Sequence, residues 1–267
     1  NGVHKASFQG AEYKLKSKEE LTSFEKMVRD AGSYPYLMNQ EELTRLNKDN
    51  SLLHRLFTRL MLERVKDWLR IAEERLKGTK ISCFILPGND DDFIIDEAFK
   101  DSRFVVNPEG RLIELPEGFT MISTGFSNYT PWRCPRDISE EELKRKVEAM
   151  ASEVKNFERC IFNFHCPPYG THLDLAPRLD EQMRPVLGMG GAPEMVHVGS
   201  VSIRDAIDRY APVLSLHGHI HESRSAQRLG RTLLINPGSE YSEGILRGAL
   251  INLDPGKGVK GYLLTSG

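Results

Sequence analysis

The stretch Val213–Leu214–Ser215–Leu216–His217–Gly218–His219–Ile220–His221–Glu222 constrains this chain more than any other. Its apolar start reads as a buried strand. Its end places three histidines at every second position, with a glycine after the first. In extended backbone alternate side chains share a face, so the three imidazoles are predicted to point the same way. Packing alone seldom gathers three imidazoles, because each leaves a ring nitrogen to be satisfied. The expectation is a metal site at the carboxyl edge of a sheet, where open α/β folds place their chemistry.

The preceding chain has the matching rhythm. Residues 6–15 suit a short hairpin around Gly10, and Ser17-Lys-Glu-Glu20 is a capping box for a helix stopping at Gly32. Tyr34–Pro35–Tyr36 reads as a packed loop. A long helix is predicted over 51–77, with Leu52, Leu56, Leu60, Trp68, Leu69, Ala72 and Leu76 as its core stripe. A short strand, 81–86, then leads into Pro87–Gly88–Asn89–Asp90–Asp91–Asp92. Residues 104–106, 111–115 and 119–124 suggest a three-strand meander. Ser139-Glu-Glu-Glu142 opens a charged helix to about Phe157, its acidic and basic residues forming a solvated face. Cys160–Phe164 is a buried strand ahead of His165–Cys166–Pro167–Pro168–Tyr169–Gly170–Thr171. Residues 174–193 are irregular, a helix follows over 202–210, and strands are expected over 232–236, 248–253 and 258–264.

Three buried strands therefore end in loops carrying Asn89, His165 and the pair His219 and His221. Each loop alone is a weak signal. Together they supply an amide oxygen and imidazoles, donors that suit Zn, Mn or Fe. Ser200 and Ser202 read as helix caps, Ser215 as a mid-strand residue, and His217 as a neighbour of the site.

These boxes resemble the calcineurin-like metallophosphoesterase superfamily. Gly88–Asn89–Asp90–Asp91, Asn163–Phe164–His165 and Gly218–His219–Ile220–His221 match three of its motifs, and Ile235–Asn236–Pro237–Gly238–Ser239 is similar to its tail. His165-Cys-Pro-Pro-Tyr-Gly-Thr171, His197-Val-Gly-Ser200 and Leu216-His-Gly-His-Ile-His-Glu-Ser223 resemble a mainly archaeal group of phosphoesterases within it. The resemblance covers nearly the whole chain. It implies an α/β fold, a sandwich of two mixed β-sheets flanked by helices, with two divalent metal ions (Mn, Fe or Zn) at the strand ends. By the same resemblance Asn89, His165 and His219 hold one metal and His221 the other. The implied reaction is hydrolysis of a small phosphorylated substrate by metal-activated water.

Two departures qualify the resemblance. Where many members carry a histidine acid after the Asn, this chain has Asp90, and a carboxylate is a poor acid unless burial raises its pKa. Protonation then falls to another residue, with His197 and His172 as candidates. The superfamily's opening Asp-x-His and Gly-Asp boxes are not found in these residues. A first strand–helix–strand unit, roughly 30–50 residues, is thus expected to be missing before Asn1. The remaining 267 residues are read as one N-terminally incomplete domain, with 1–38 a hairpin and helix elaboration and negligible activity expected of this length of chain. The alternative is a non-catalytic phosphoesterase-like module that binds a ligand through an incomplete metal site.

Composition enters as exclusion. A formal net charge of −2 gives no basic field for nucleic acid or anionic lipid. No apolar run approaches the ~18 residues that span a bilayer. The four cysteines lack CxxC pairing and read as reduced core residues, so a cytoplasmic protein is expected. The oligomeric state is not written in these residues.

Overall fold

A computed structural model describes residues 2–267 and orders the N-terminal segments first. Strands β1 (His4–Phe8) and β2 (Ala11–Leu15) pair antiparallel across Gln9 and Gly10. Both turn residues take positive φ, 49° and 78°, the twist that a two-residue hairpin loop demands. Helix α1 (Lys18–Asp30) starts where Ser17 accepts the Glu20 amide, and its Phe24 packs against Phe8 and Tyr13. Helix α2 (Gln40–Lys48), absent from the sequence reading, is capped by Asn39 accepting the Glu42 amide.

Helix α3 (Asn50–Leu76) lies where its apolar spacing predicts, and all of the predicted stripe but Trp68 is at least partly buried. Val65 and Leu69 are buried, whereas Trp68 is 49% exposed. The chain forms two compact units. The first runs to Arg64 and includes Glu240–Leu246, so it extends well beyond the elaboration predicted over 1–38. The second comprises Val65–Ser239 and Arg247–Gly267.

In the second unit, β3 (Cys83–Phe84) is followed by the short helix α4 (Asp96–Phe99) and β4 (Val105–Val106). Next come β5 (Leu112–Glu114), β6 (Thr120–Thr124), β7 (Ser127–Asn128) and β8 (Asp137–Ile138). Helix α5 (Glu140–Ala151), β9 (Cys160–Phe164), β10 (Leu175–Pro177), β11 (Met195–His197) and helix α6 (Val201–Tyr210) follow. The chain ends through β12 (Leu214–Leu216), β13 (Ser225–Leu229), β14 (Thr232–Asn236), β15 (Arg247–Asp254) and β16 (Gly258–Ser266).

A six-strand mixed sheet, in the order β13-β14-β12-β9-β6-β5, is the frame. Its four central strands are parallel and its two edges antiparallel. Alternation along each strand divides the core. Ile122, Phe162, Phe164 and Leu234 face α5 and α6. Met121, Ile161, Leu233 and Ile235 face the β15–β16 hairpin and Phe84. The α/β expectation holds, with the second layer built from the hairpin and the parallel pair β3–β4.

Two local expectations need correction. Strand β4 pairs with β3 across α4 instead of joining β5 and β6 in a meander, which leaves β5–β6 as a plain hairpin. Helix α5 stops at Ala151 rather than Phe157, and Asn156 accepts the Glu158 amide at the start of a separate turn at Phe157. Among the described residues no helix is long and apolar enough to cross a membrane.

Candidate metal centre

The parallel register brings the ends of β6, β9 and β12 to one sheet edge, with Thr124 opposite Phe164 and Asn163 opposite Leu216. The ladder continues past the strands. The His165 amide donates to the Thr124 carbonyl, and the Gly218 amide to the His165 carbonyl. His165 and His219 thereby share one edge, their ring centroids 5.1 Å apart. Into it comes Asn89, whose Oδ1 lies 3.0 Å from His165 Nε2 and 3.0 Å from His219 Nδ1.

Close approach explains the glycines here. A Cβ on Gly88 would lie 2.8 Å from His165 Cε1, and one on Gly125 would lie 1.8 Å from the Pro87 carbonyl oxygen. The Asn89 loop reaches the histidines because neither position carries a side chain. Arg136, with 1% of its surface exposed, clamps the loop from behind. Its backbone amide donates to the Asn89 carbonyl and its guanidinium to the Asp91 carbonyl and Asp96. Burial raises the pKa of Asp91, whose carboxylate accepts the Gly88 amide. The Asn89 Nδ2 donates to Asp137 Oδ1 at 2.9 Å, and His219 Nε2 meets Ser127 Oγ at 3.3 Å.

The three-histidine expectation is corrected by backbone geometry. Extended structure ends at Leu216, and His219 takes φ of 66°, so the alternation that would align the rings is broken. His217 stays on the Ser215 side of the strand, buried, with Nε2 on Ser215 Oγ and Nδ1 against the Phe164 and Cys166 carbonyls. It braces the peptide groups flanking His165. The left-handed turn at His219 swings that ring to Asn89 instead. His221 lies on the exposed loop beyond, close enough for its charge to lower the pKa of both His165 and His219.

The electrostatics favour neutral imidazoles. Burial, helped by the neighbouring rings of His219, His221 and His217, holds His165 down to about 3. Burial also lowers His219 and His217 to about 4, with Asp137 opposing the shift at His219. Neutral rings are the form that binds metal. Asn89 Oδ1 meets each ring at hydrogen-bond distance, so the three donor atoms lie close enough to share one ligand. Asn89, His165 and His219 are the residues that could hold a divalent ion. They form a half-site: among the described residues no three His, Cys, Asp or Glu side chains gather to hold a metal ion.

The other candidates make contacts of their own. Asp90 is exposed, 3.5 Å from the Cys134 thiol. His197 places Nδ1 2.8 Å from Asp174 Oδ1 and presents its ring edge-on to Tyr169. Asp174 is fully buried and accepts the Gly170, Thr171 and Gly199 amides. The His165 and His197 motifs thus meet, with the Ser200 amide donating to Pro167 and Asn128 Nδ2 to Val198. His172 is a surface residue away from these contacts, its amide held by Gln227. Ser200 caps α6 as expected, whereas Ser202 lies inside the helix and donates to the Glu140 carbonyl.

No protein-family model matches the chain. An uncharacterized protein of Methanocaldococcus jannaschii is 33% identical over 155 residues, which span 57% of this chain and 62% of that protein. One solved crystal structure superposes with a TM-score of 0.52 at 17% identity, covering 86% of this chain and 89% of its own. The crystal structure of a Thermus thermophilus protein gives 0.50 at 16% identity, covering 77% and 79%. The likeness at these identities is one of fold: a mixed α/β sandwich.

Several residues of the site carry no signal in the sequence. Asp137 and Arg136 precede an obvious capping box and look like its flank. Ser127 follows a predicted strand with no motif around it, and Asp174 resembles a turn aspartate. The four cysteines are free, and burial pushes Cys160 up to about 11 and Cys166 up to about 12, so both stay protonated thiols.

Proposed function

We propose that this chain carries part of the metal centre of a phosphoesterase acting on a small phosphorylated substrate. The observation that carries this reading is the convergence of Asn89 Oδ1, His165 Nε2 and His219 Nδ1 from three separate strand ends. These residues would hold one ion, with His221 beside it available to a second. A bound divalent metal would activate water and offset charge on phosphoryl oxygens. The residues supply the rest. Asn89 and the imidazoles add no negative charge against a phosphate. A cavity of about 290 Å³, lined by Asn163, His165, His217, Gly218 and apolar Leu86 and Ile235 but not by Asn89 or His219, would suit a small ligand beside His165. His197, oriented by Asp174 and with 38% of its side chain exposed, would give a proton to a departing alkoxide, a role that exposed Asp90 fills poorly.

A second reading, a binding module with an incomplete metal site, is favoured by the donor set itself. Two imidazoles and an amide are all neutral, and no carboxylate is among the three converging atoms to bridge a pair of ions. Titration calorimetry with Mn²⁺ decides whether the half-site exists: wild type is expected to bind, and His219→Ala to lose about 10-fold or more in affinity. Equal binding by both would place the metal elsewhere. An aryl phosphate assay with Mn²⁺ then separates the readings. Turnover abolished in His165→Ala supports the hydrolase over the module, and turnover unchanged in that variant counts against it.

A further inference from the structure

We infer that Asp137 is a positioning residue that sets which end of the Asn89 amide faces the two histidines. The inference rests on the metal-centre reading above, since only the oxygen end of Asn89 can ligate an ion. An asparagine side chain presents oxygen and nitrogen with nearly the same shape, so its orientation follows from what each end meets. Asp137 Oδ1 is an acceptor only, and it takes the Asn89 Nδ2 donor at 2.9 Å. That leaves Asn89 Oδ1 turned to His165 and His219. Asp137 is itself pinned. Its Oδ2 accepts from the Thr130 amide at 2.9 Å, the Thr130 hydroxyl at 2.5 Å and the Cys134 amide at 3.0 Å. Outer partners of this kind fix the orientation of metal-binding groups.

The arrangement makes an asymmetric prediction for Asp137→Asn. Three donors converge on the Oδ2 position, and they select the oxygen of the new amide. Its NH₂ is then left facing Asn89. Asn89 must turn its own oxygen toward that NH₂ and its nitrogen toward the histidines, where it cannot ligate. Asn89→Asp in the same chain removes the problem, because a carboxylate offers oxygen at both ends. The double variant Asn89→Asp/Asp137→Asn exchanges the two groups and is expected to regain binding. A purely structural role for Asp137 would not predict this rescue.

The test has two readouts. The first is Mn²⁺ affinity by calorimetry on wild type, Asp137→Asn, the double variant and His165→Ala. Asp137→Asn is expected to bind about 10- to 100-fold more weakly, and the double variant to recover most of the loss. The second needs no metal. Because Asn89 Oδ1 only accepts, wild-type His165 should carry its proton on Nε2 and His219 on Nδ1. Long-range ¹⁵N NMR should show both tautomers reversed in Asp137→Asn. Unchanged tautomers and unchanged affinity in Asp137→Asn would overturn the inference, as would a double variant no better than the single one. Wild-type rings in the opposite tautomers would overturn it even if Asp137→Asn failed to fold. Wild-type tautomers as expected, with no Mn²⁺ binding that depends on His165, would instead sink the metal-centre reading and leave the role of Asp137 in orienting Asn89 standing.

Discussion

His217 stands out among single residues because it is an imidazole with 5% of its surface exposed and every ring nitrogen engaged. Burial holds it near 4, below the ordinary 6.5, so the fold keeps its neutral form. A histidine depressed in this way contributes stability that is fully present above pH 6.5. That contribution is lost as pH falls toward 4, because the unfolded chain takes up a proton that the folded chain refuses. Between pH 7 and pH 5 the loss from this residue is about 2 kcal/mol. Urea unfolding at the two pH values should therefore show wild type losing about that much more stability than His217→Gln, which cannot titrate. Equal losses would mean that folded His217 accepts a proton readily.

Elements of secondary structure are joined through their ends, and α5 and α6 make the case. The acidic start of α5 reads as a solvated face, yet Glu140 is half-buried and turned to its neighbour. It accepts the Ser200 hydroxyl at 2.7 Å, the Val201 amide at 3.1 Å and the Ser202 amide at 2.9 Å. One carboxylate thus caps the N-terminus of α6, where amides lack helical partners and the dipole favours negative charge. Glu140→Ala is expected to destabilise the protein by about 1–3 kcal/mol, measured by urea unfolding at pH 7. A change within about 0.5 kcal/mol, the usual surface effect, would return Glu140 to the solvated face. The ends of β6, β9 and β12 obey the same logic beside Asn89, where hydrogen bonds beyond the last paired residues carry His165 and Gly218 into place.

At the largest scale, the core of the second unit lies on the two faces of the six-strand sheet. Phe162 is fully buried, packing on Phe164 and Phe157 beneath α5 and α6. Phe162→Ala should cost about 3–5 kcal/mol. Leu263 on β16 is 61% exposed, and Leu263→Ser should change stability by no more than about 0.5 kcal/mol. Thermal unfolding of both variants checks the contrast, and comparable losses would refute a core centred on that sheet.

The sequence by itself determined the α/β class, the strands β9, β12 and β14, the caps at Ser17, Ser139 and Ser200, and the candidacy of Asn89, His165 and His219. Each of these is local: periodicity, capping and strand-end position need only a few consecutive residues. What tertiary structure decided is everything that depends on distance in space. It gave β4 to β3, left Trp68 exposed, and turned His219 toward Asn89 while His217 stayed buried behind it. It also recruited Asp137, Ser127, Arg136 and Asp174, whose partners lie 23 to 92 residues away along the chain. No pattern of neighbours encodes such pairings. They exist because a parallel sheet brings the ends of separate strands to one edge, where an unsatisfied buried polar group is costly and each donor must find its acceptor.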